Sequence, residues 1–322
     1  MSQQLCQSTS DLRFVDLHCD TISEIRDHPD ATHHITVQKL ERGSVVLQCF
    51  ALFTDLAKYE KPEKRALELY GTYLRFLREN QEDIAPVHTW QDFIDLREKQ
   101  LIGSILTLEE GDITFGGLEF LETWHELGVR MITLTWNHPN RLADRNGLTE
   151  YGTAYVRRME ELGIVVDVSH LPDKAFWDVC RIATRPFIAS HSNARQLCHV
   201  SRNLTDDMIR AVARHHGVIG LNFYARFLKE GGEDYSTLDD MIRHLRHIME
   251  VGGEDVIALG TDFDGITSGM ELKDAGGLHQ LARRMLESGF TRQQVDKFSR
   301  ANAERVFRDI LADGTLAGQP GH

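Results

Sequence analysis

Eight short apolar runs, rich in β-branched and aromatic residues, recur along this chain at residues 14–17, 44–50, 102–108, 130–135, 164–168, 187–189, 218–223 and 256–259. Amphipathic stretches of helical length separate most of them. Residues 63–79 carry Leu67, Leu69, Tyr70, Tyr73, Leu74 and Leu77 near helical spacing, and similar patterns recur at 151–162, 206–215 and 238–251. The runs are near-continuous in apolar residues rather than alternating, as strands covered on both faces are. Eight such strands interleaved with helices predict an α/β fold, a (β/α)8 barrel of the TIM type, and 322 residues suit one such domain spanning 1–322. The ends, at about 1–10 and 315–322, are expected to fray.

Composition narrows the function classes. The chain is 41% hydrophobic and 26% charged, enough for a sizeable core. Its formal net charge of −13 argues against a nucleic-acid partner, which needs clustered Lys and Arg. No apolar stretch approaches the roughly 20 residues of a membrane-spanning helix, so no membrane partner is expected. The start, Met1-Ser2-Gln3-Gln4-Leu5-Cys6, lacks the basic and apolar regions of a signal peptide, so a cytoplasmic location is expected. The five cysteines (Cys6, Cys19, Cys49, Cys180, Cys198) are widely spaced and form no CxxC, which points away from a disulfide framework or a zinc ribbon.

In such a barrel the working residues stand at the C-terminal ends of the strands. Metal-ligand residue types close the runs here. His18 and Asp20 follow Phe14-Val15-Asp16-Leu17, Glu109 follows Ile105-Leu106-Thr107-Leu108, His170 follows Val165-Val166-Asp167-Val168-Ser169, and His191 follows Phe187-Ile188-Ala189-Ser190. His18 and Asp20 lie two apart, so on a strand both side chains point the same way. Zinc and related ions accept imidazole and carboxylate and leave a position for water. Two ions close together need a carboxylate to bridge them. The set offers three imidazoles, one terminal carboxylate and one candidate bridge. Glu110 adjoins Glu109 and only one can face inward; Glu109, directly after Leu108, is favoured. Asp262 and Asp264 follow the last run in Gly260-Thr261-Asp262-Phe263-Asp264-Gly265. A carboxylate there can move a proton from water to a leaving amine, and either can also cap a turn. Asp262 is read as the functional one and Asp264 as structural. Asp167, three residues before His170, is expected to face the opposite side and to pack or support a ligand rather than bind metal itself. Of the sixteen histidines, His33, His34, His215, His216, His244 and His247 are read as exposed.

Taken in order, these segments resemble the membrane (renal) dipeptidase family, peptidase family M19 of the metal-dependent amidohydrolase superfamily. The resemblance runs from about Phe14 to Ile310. It rests on Asp16-Leu17-His18-Cys19-Asp20, Leu108-Glu109-Glu110-Gly111, Asp167-Val168-Ser169-His170, Ser190-His191-Ser192-Asn193-Ala194, Ser201-Arg202-Asn203-Leu204-Thr205-Asp206-Asp207, Leu221-Asn222-Phe223-Tyr224 and Gly260-Thr261-Asp262-Phe263-Asp264-Gly265. It implies a zinc-dependent dipeptidase with two Zn2+ ions. The first would be held by His18, Asp20 and Glu109, the second by Glu109, His170 and His191, with Glu109 and a hydroxide as bridges. It further implies that Arg202 binds the substrate's terminal carboxylate, Tyr224 lies in the substrate pocket and Asp262 shuttles the proton. The implied substrate is a dipeptide, including one with a C-terminal D-residue. Mn or Co would suit the same ligands. The family often forms homodimers, and nothing in the sequence locates an interface.

One departure stands out. Family members often carry a histidine in the fourth-strand motif, where it polarises the scissile carbonyl. Here Leu134-Thr135-Trp136-Asn137-His138-Pro139-Asn140 puts Trp136 in that place. Either His138 reaches the same oxygen from a shifted loop, or the second zinc alone is the electrophile and Trp136 is a pocket wall. The same barrel and ligands would also suit another amidohydrolase or a lactonase. Trp136 further leaves open a barrel that binds metal or peptide without turnover.

Overall fold

The computed structural model describes residue 9 and residues 11–114, 116–231 and 234–312. Seven parallel strands form the barrel wall: β1 (Phe14–Asp16), β2 (Val45–Phe53), β3 (Ile102–Glu109), β4 (Val129–Thr133), β5 (Val165–Asp167), β6 (Ile219–Leu221) and β7 (Ile257–Leu259). Their order is β5-β4-β3-β2-β1-β7-β6. Residues 187–189 close the ring as its eighth member, through the parallel bridges Asp167↔Ile188 to β5 and Ala189↔Ile219 to β6. The predicted eight-membered barrel is therefore present, with its sixth member reduced to bridges.

Alternation along each strand splits the apolar residues into two clusters. One fills the barrel with a residue from every member of the ring, namely Val15, Cys49, Ile105, Met131, Val165, Ile188, Val218 and Ala258, and includes Phe307 and Ile310 of helix Asn302–Leu311. The other packs the outer faces, including Phe14, Phe50, Ile132 and Val166, against the helices. Both faces are dry, which is why the runs read as continuous.

The four anticipated helices are found at Pro62–Glu79, Glu150–Leu162, Asp206–Arg214 and Leu238–Gly252. The last starts with a reciprocal capping box between Thr237 and Asp240. Helix Glu150–Leu162 stops at Gly163, whose φ of 72° is the left-handed stop that glycine supplies. The second run continues to Phe53, three residues beyond its expected end, so β2 contributes a wall residue the shorter run had omitted. The expected frayed ends lie, apart from Thr9, outside the described residues.

Four of the seven described non-glycine residues with positive φ stand at the C-terminal mouth of the barrel. Glu110 (φ 98°), His170 (φ 66°), Asp262 (φ 60°) and Asp264 (φ 67°) all follow strands there in the left-handed region. Each such non-glycine residue costs about 1–3 kcal/mol. The sharp turns swing neighbouring side chains over the barrel axis.

Candidate metal centre

His18 and Asp20 stand beyond the end of β1. The strand stops at Asp16, but the parallel bridge Cys19↔Phe263 keeps the following residues beside the segment after β7. Asp20 already precedes helix Thr21–Asp27 without capping it, which leaves its carboxylate free to face the mouth. Glu109 is the last residue of β3. His170 and His191 sit on the turns after β5 and after residues 187–189.

These five side chains converge. His18 Nε2 lies 3.3 Å from Asp20 Oδ2 and 3.3 Å from Glu109 Oε2. The other Glu109 oxygen, Oε1, lies 3.0 Å from His170 Nε2 and 3.7 Å from His191 Nε2. The His18 and His191 rings stack at 3.8 Å. Donor atoms fall into overlapping trios, each within 4.8 Å: His18, Asp20 and Glu109; Glu109, His170 and His191; His18, His191 and Asp262. The first two trios share Glu109, one oxygen turned to each.

Hydrogen bonds behind the cluster fix two of the imidazoles. Ser190 Oγ gives its proton to Asp167 Oδ2 at 2.6 Å, so at 2.7 Å it accepts from His191 Nδ1–H. His170 Nδ1–H donates to Asn137 Oδ1 at 2.9 Å. Both Nε2 atoms therefore present lone pairs, and they face each other 2.9 Å apart. Burial, with Arg202 and His18 adding to it, holds both imidazoles well below the usual histidine range, so both stay neutral. Two opposed lone pairs repel, and a cation between them removes the repulsion. Asp20 Oδ1 is likewise buried with no hydrogen-bond partner. Gly265 completes the cradle: a Cβ there would stand 2.2 Å from Asp20 Oδ2 and 2.6 Å from Asp262 Oδ1. The donor set of neutral imidazoles and carboxylates at this spacing fits one or two divalent ions.

The electrostatics agree. Burial and the charge of Asp20 push Glu109 up to about 8, against the pull of His18. Burial pushes His18 down, but Glu109 and Asp20 outweigh it and the net shift is upward. Asp262 is raised to about 6 by burial, with His18 pulling the other way. Its Oδ1 is 3.8 Å from His18 Nε2, and Oδ2 accepts from Asn222 Nδ2 at 2.8 Å.

Other anticipated residues take varied places. Glu110 turns away from the cluster and accepts from Trp136 N at 3.1 Å and from Asn140 Nδ2, so it holds the loop after β4. Asp264 accepts from Thr21 Oγ1 and His34 N, both at 2.6 Å, and ties the loop around His34 to the barrel. Asp167 does not face away: two residues after Val165 of the barrel interior, it is buried and accepts from Ser190 Oγ and Thr133 Oγ1 behind the cluster. Arg202 donates to Ser192 Oγ at 2.7 Å and to His191 O at 2.8 Å, with Nε buried and unpartnered. Tyr224 and Trp136 line a cavity of about 350 Å³ above the cluster, within the range of small-molecule sites. His138 is not brought to the cluster. It is exposed, lies off the cavity lining and packs edge-on against Trp136 at 5.7 Å, while Asn137 takes the inner place. Phe53 packs on Trp136 at 4.9 Å as a second aromatic wall.

Of the six histidines read as exposed, only His216 is; His33, His34, His215 and His247 are half-buried and His244 is buried. His244 is 0% exposed: its Nδ1 accepts from Ala194 N and its Nε2 donates to Leu228 O, bonds a helix pattern does not reveal. His34 is half-buried against Asp264. Sequence reasoning missed the parts played by Ser190, Asn137, Asn222 and Gly265. Ser190 adjoins His191 and Asn222 stands in one of the quoted motifs, but neither carried a signal of what it bonds. A larger crevice, about 700 Å³, opens at the opposite end of the barrel. Its Arg97, Arg292 and Arg300 are engaged by Glu304, Asp11 and Asp296, and the candidate metal trios lie elsewhere.

Comparisons with known proteins agree with this geometry. The family described as membrane dipeptidase (peptidase family M19) matches residues 3–315. An uncharacterized dipeptidase of Schizosaccharomyces pombe is 30% identical over 301 residues, covering 86% of this chain and 72% of that protein. An uncharacterized protein in the pqqA 5′ region of Klebsiella pneumoniae is 36% identical over 228 residues, covering 66% of this chain and 84% of that protein. The crystal structure of dipeptidase AC, a metallopeptidase of family M19, superposes with a TM-score of 0.86 at 25% identity, covering 94% of this chain and 99% of that one.

Proposed function

The chain belongs to peptidase family M19 and is a metallodipeptidase, and from that premise we propose that it hydrolyses dipeptides at a binuclear zinc centre bridged by Glu109. The observation that carries this reading is the split of the Glu109 carboxylate, Oε2 toward His18 and Oε1 toward His170 and His191. His18, Asp20 and Glu109 would hold one ion, and Glu109, His170 and His191 the other. Bound there, such ions supply an acidified water and a Lewis acid for the scissile carbonyl.

The chain's own residues do the rest. Arg202 receives the C-terminal carboxylate, as the family resemblance implies; its guanidinium stands 5.7 Å from the ring of Phe227, which lines the cavity. This requirement for a free carboxylate restricts the substrate to short peptides. Asp262, with one oxygen held by Asn222 and the other turned to His18, takes a proton from the attacking water and passes it to the departing amine nitrogen as the C–N bond breaks. Trp136, Phe53 and Tyr224 wall the pocket and exclude water. His138, exposed and off the cavity lining, is not placed to touch the substrate. The family resemblance supports acceptance of a C-terminal D-residue.

Comparing His170→Ala with the wild type tests this reading, using metal content and turnover of L-Ala-L-Ala and L-Ala-D-Ala. Loss of about one ion per chain together with most of the turnover is expected. Full activity and full metal content in the variant would contradict the assignment.

A further inference from the structure

The cavity wall opposite Arg202 carries chemistry that the reaction itself leaves unused. Arg202 follows the sixth member of the ring, and the loops after β1 and β2 stand across the mouth from it. A dipeptide with its carboxylate on Arg202 and its scissile bond over Glu109 therefore turns its N-terminal residue toward those two loops. Ser23, Glu24, Asp27, Lys58, Tyr59 and Arg65 line the cavity there.

Of the basic groups in this wall, Arg65 is paired with Asp27 although its Nε is buried without a partner, and His28 and Lys58 stand in solvent. Arg65, 5% exposed, donates through Nη1 and Nη2 to the two oxygens of Asp27, each at 2.7 Å. Lys58 is exposed, with its ammonium 5.4 Å from the centre of the Tyr59 ring. Charges in open solvent select weakly.

Two acceptors of helix Thr21–Asp27 remain. Glu24 lies in the first turn of helix Thr21–Asp27, half-buried, and its carboxylate has no hydrogen bond or ion pair among the described residues. Burial holds that carboxyl above its ordinary range, with Asp264 adding to the rise and His28 and His33 pulling the other way. Beside it, Ser23 is 7% exposed and its Oγ is buried without a hydrogen-bond partner. A buried hydroxyl left unpaired is destabilising. A bound group that donates hydrogen bonds and carries positive charge would satisfy both.

We propose that Ser23 and Glu24 form the subsite for the substrate's N-terminal side chain and select a basic residue there, lysine or arginine over a small apolar one. This refinement rests on the dipeptidase reading above. Nothing in it depends on which metal is bound.

The test measures kcat/KM of metal-loaded protein on Lys-Ala, Leu-Ala and Glu-Ala, each with the alanine stereochemistry that the wild type turns over faster. The wild type should favour Lys-Ala over Leu-Ala by about tenfold or more, as sites built around a polar partner do. Glu24→Gln should bring that ratio close to one, Glu24→Lys should turn the preference toward Glu-Ala, and Ser23→Ala should reduce the ratio by a smaller factor. A wild type that cleaves all three equally, or a ratio unchanged by Glu24→Gln, overturns the subsite and leaves the dipeptidase reading standing. A wild type that cleaves none overturns that reading, and the subsite with it.

Discussion

At the scale of single residues, the candidate site depends on groups that never touch the substrate. Asp167 accepts four hydrogen bonds, from Ser169 N, Ser190 N, Ser190 Oγ and Thr133 Oγ1. Through the Ser190 hydroxyl it sets which His191 nitrogen carries the proton. In Asp167→Asn the new amide donates to Ser190, whose proton then turns to His191 Nδ1 and leaves Nε2 protonated. Metal affinity, measured by chelator competition, should fall about 10–100-fold; unchanged affinity would remove this role. Gly265→Ala is expected to be harsher, because its Cβ would occupy space beside Asp20 Oδ2 and Asp262 Oδ1. The variant should keep its far-UV circular dichroism and lose metal. Arg202→Ala should mainly raise KM for dipeptides, by about tenfold or more, and an unchanged KM would take the carboxylate from it. Five candidate ligands were legible in the sequence because their residue types are rare at the ends of apolar runs. Ser190, Asn222 and Gly265 were not, because an ordinary serine, asparagine or glycine acquires its part only from what folding places beside it.

At the scale of elements, short segments locked to one another aim the site. Glu110 fastens the loop after β4, and Asp264 fastens the loop around His34. His244 joins helix Leu238–Gly252 to the segment after His191 through Ala194 N and Leu228 O. Burial lowers the His244 pKa from 6.5 to about 4, so the folded state favours the neutral ring. Its stabilisation is full above pH 6.5 and is lost as pH falls from there through 4. Replacing it in His244→Leu should cost about 1–3 kcal/mol at pH 7 in urea unfolding. The gap to the wild type should narrow as pH drops across that window; a gap constant with pH would contradict a neutral His244. The helices were readable to within two residues because amphipathic spacing records one dry face. The end of β2 at Phe53 was misjudged, and residues 187–189 pair only through bridges, because strand limits depend on neighbours distant in sequence. Trp136 drew attention to His138 by proximity, yet the turn held by Glu110 presents Asn137 to the cavity and His138 to solvent.

At the scale of the whole molecule, the barrel divides its work by end. Interior packing and helix Asn302–Leu311 fill the body, while strained turns and buried acids gather at the C-terminal mouth. Ions that bind the folded state alone stabilise it by mass action, about 2.7 kcal/mol at a hundred times Kd. Chelation should therefore lower Tm, and added zinc should restore it. Among the described residues no helix is long and apolar enough to cross a membrane. The eightfold rhythm made this architecture legible from the outset, since eight apolar runs interleaved with helices suit a parallel sheet covered on both faces and closed into a barrel. The pairing of the mouth loops left no such periodic trace. The most direct test of the central claim is hydrolysis of L-L and L-D dipeptides by metal-analysed protein, before and after chelation. Two ions per chain, turnover abolished by chelation and restored by zinc are predicted. A fully metal-loaded protein inert toward every dipeptide would contradict the account.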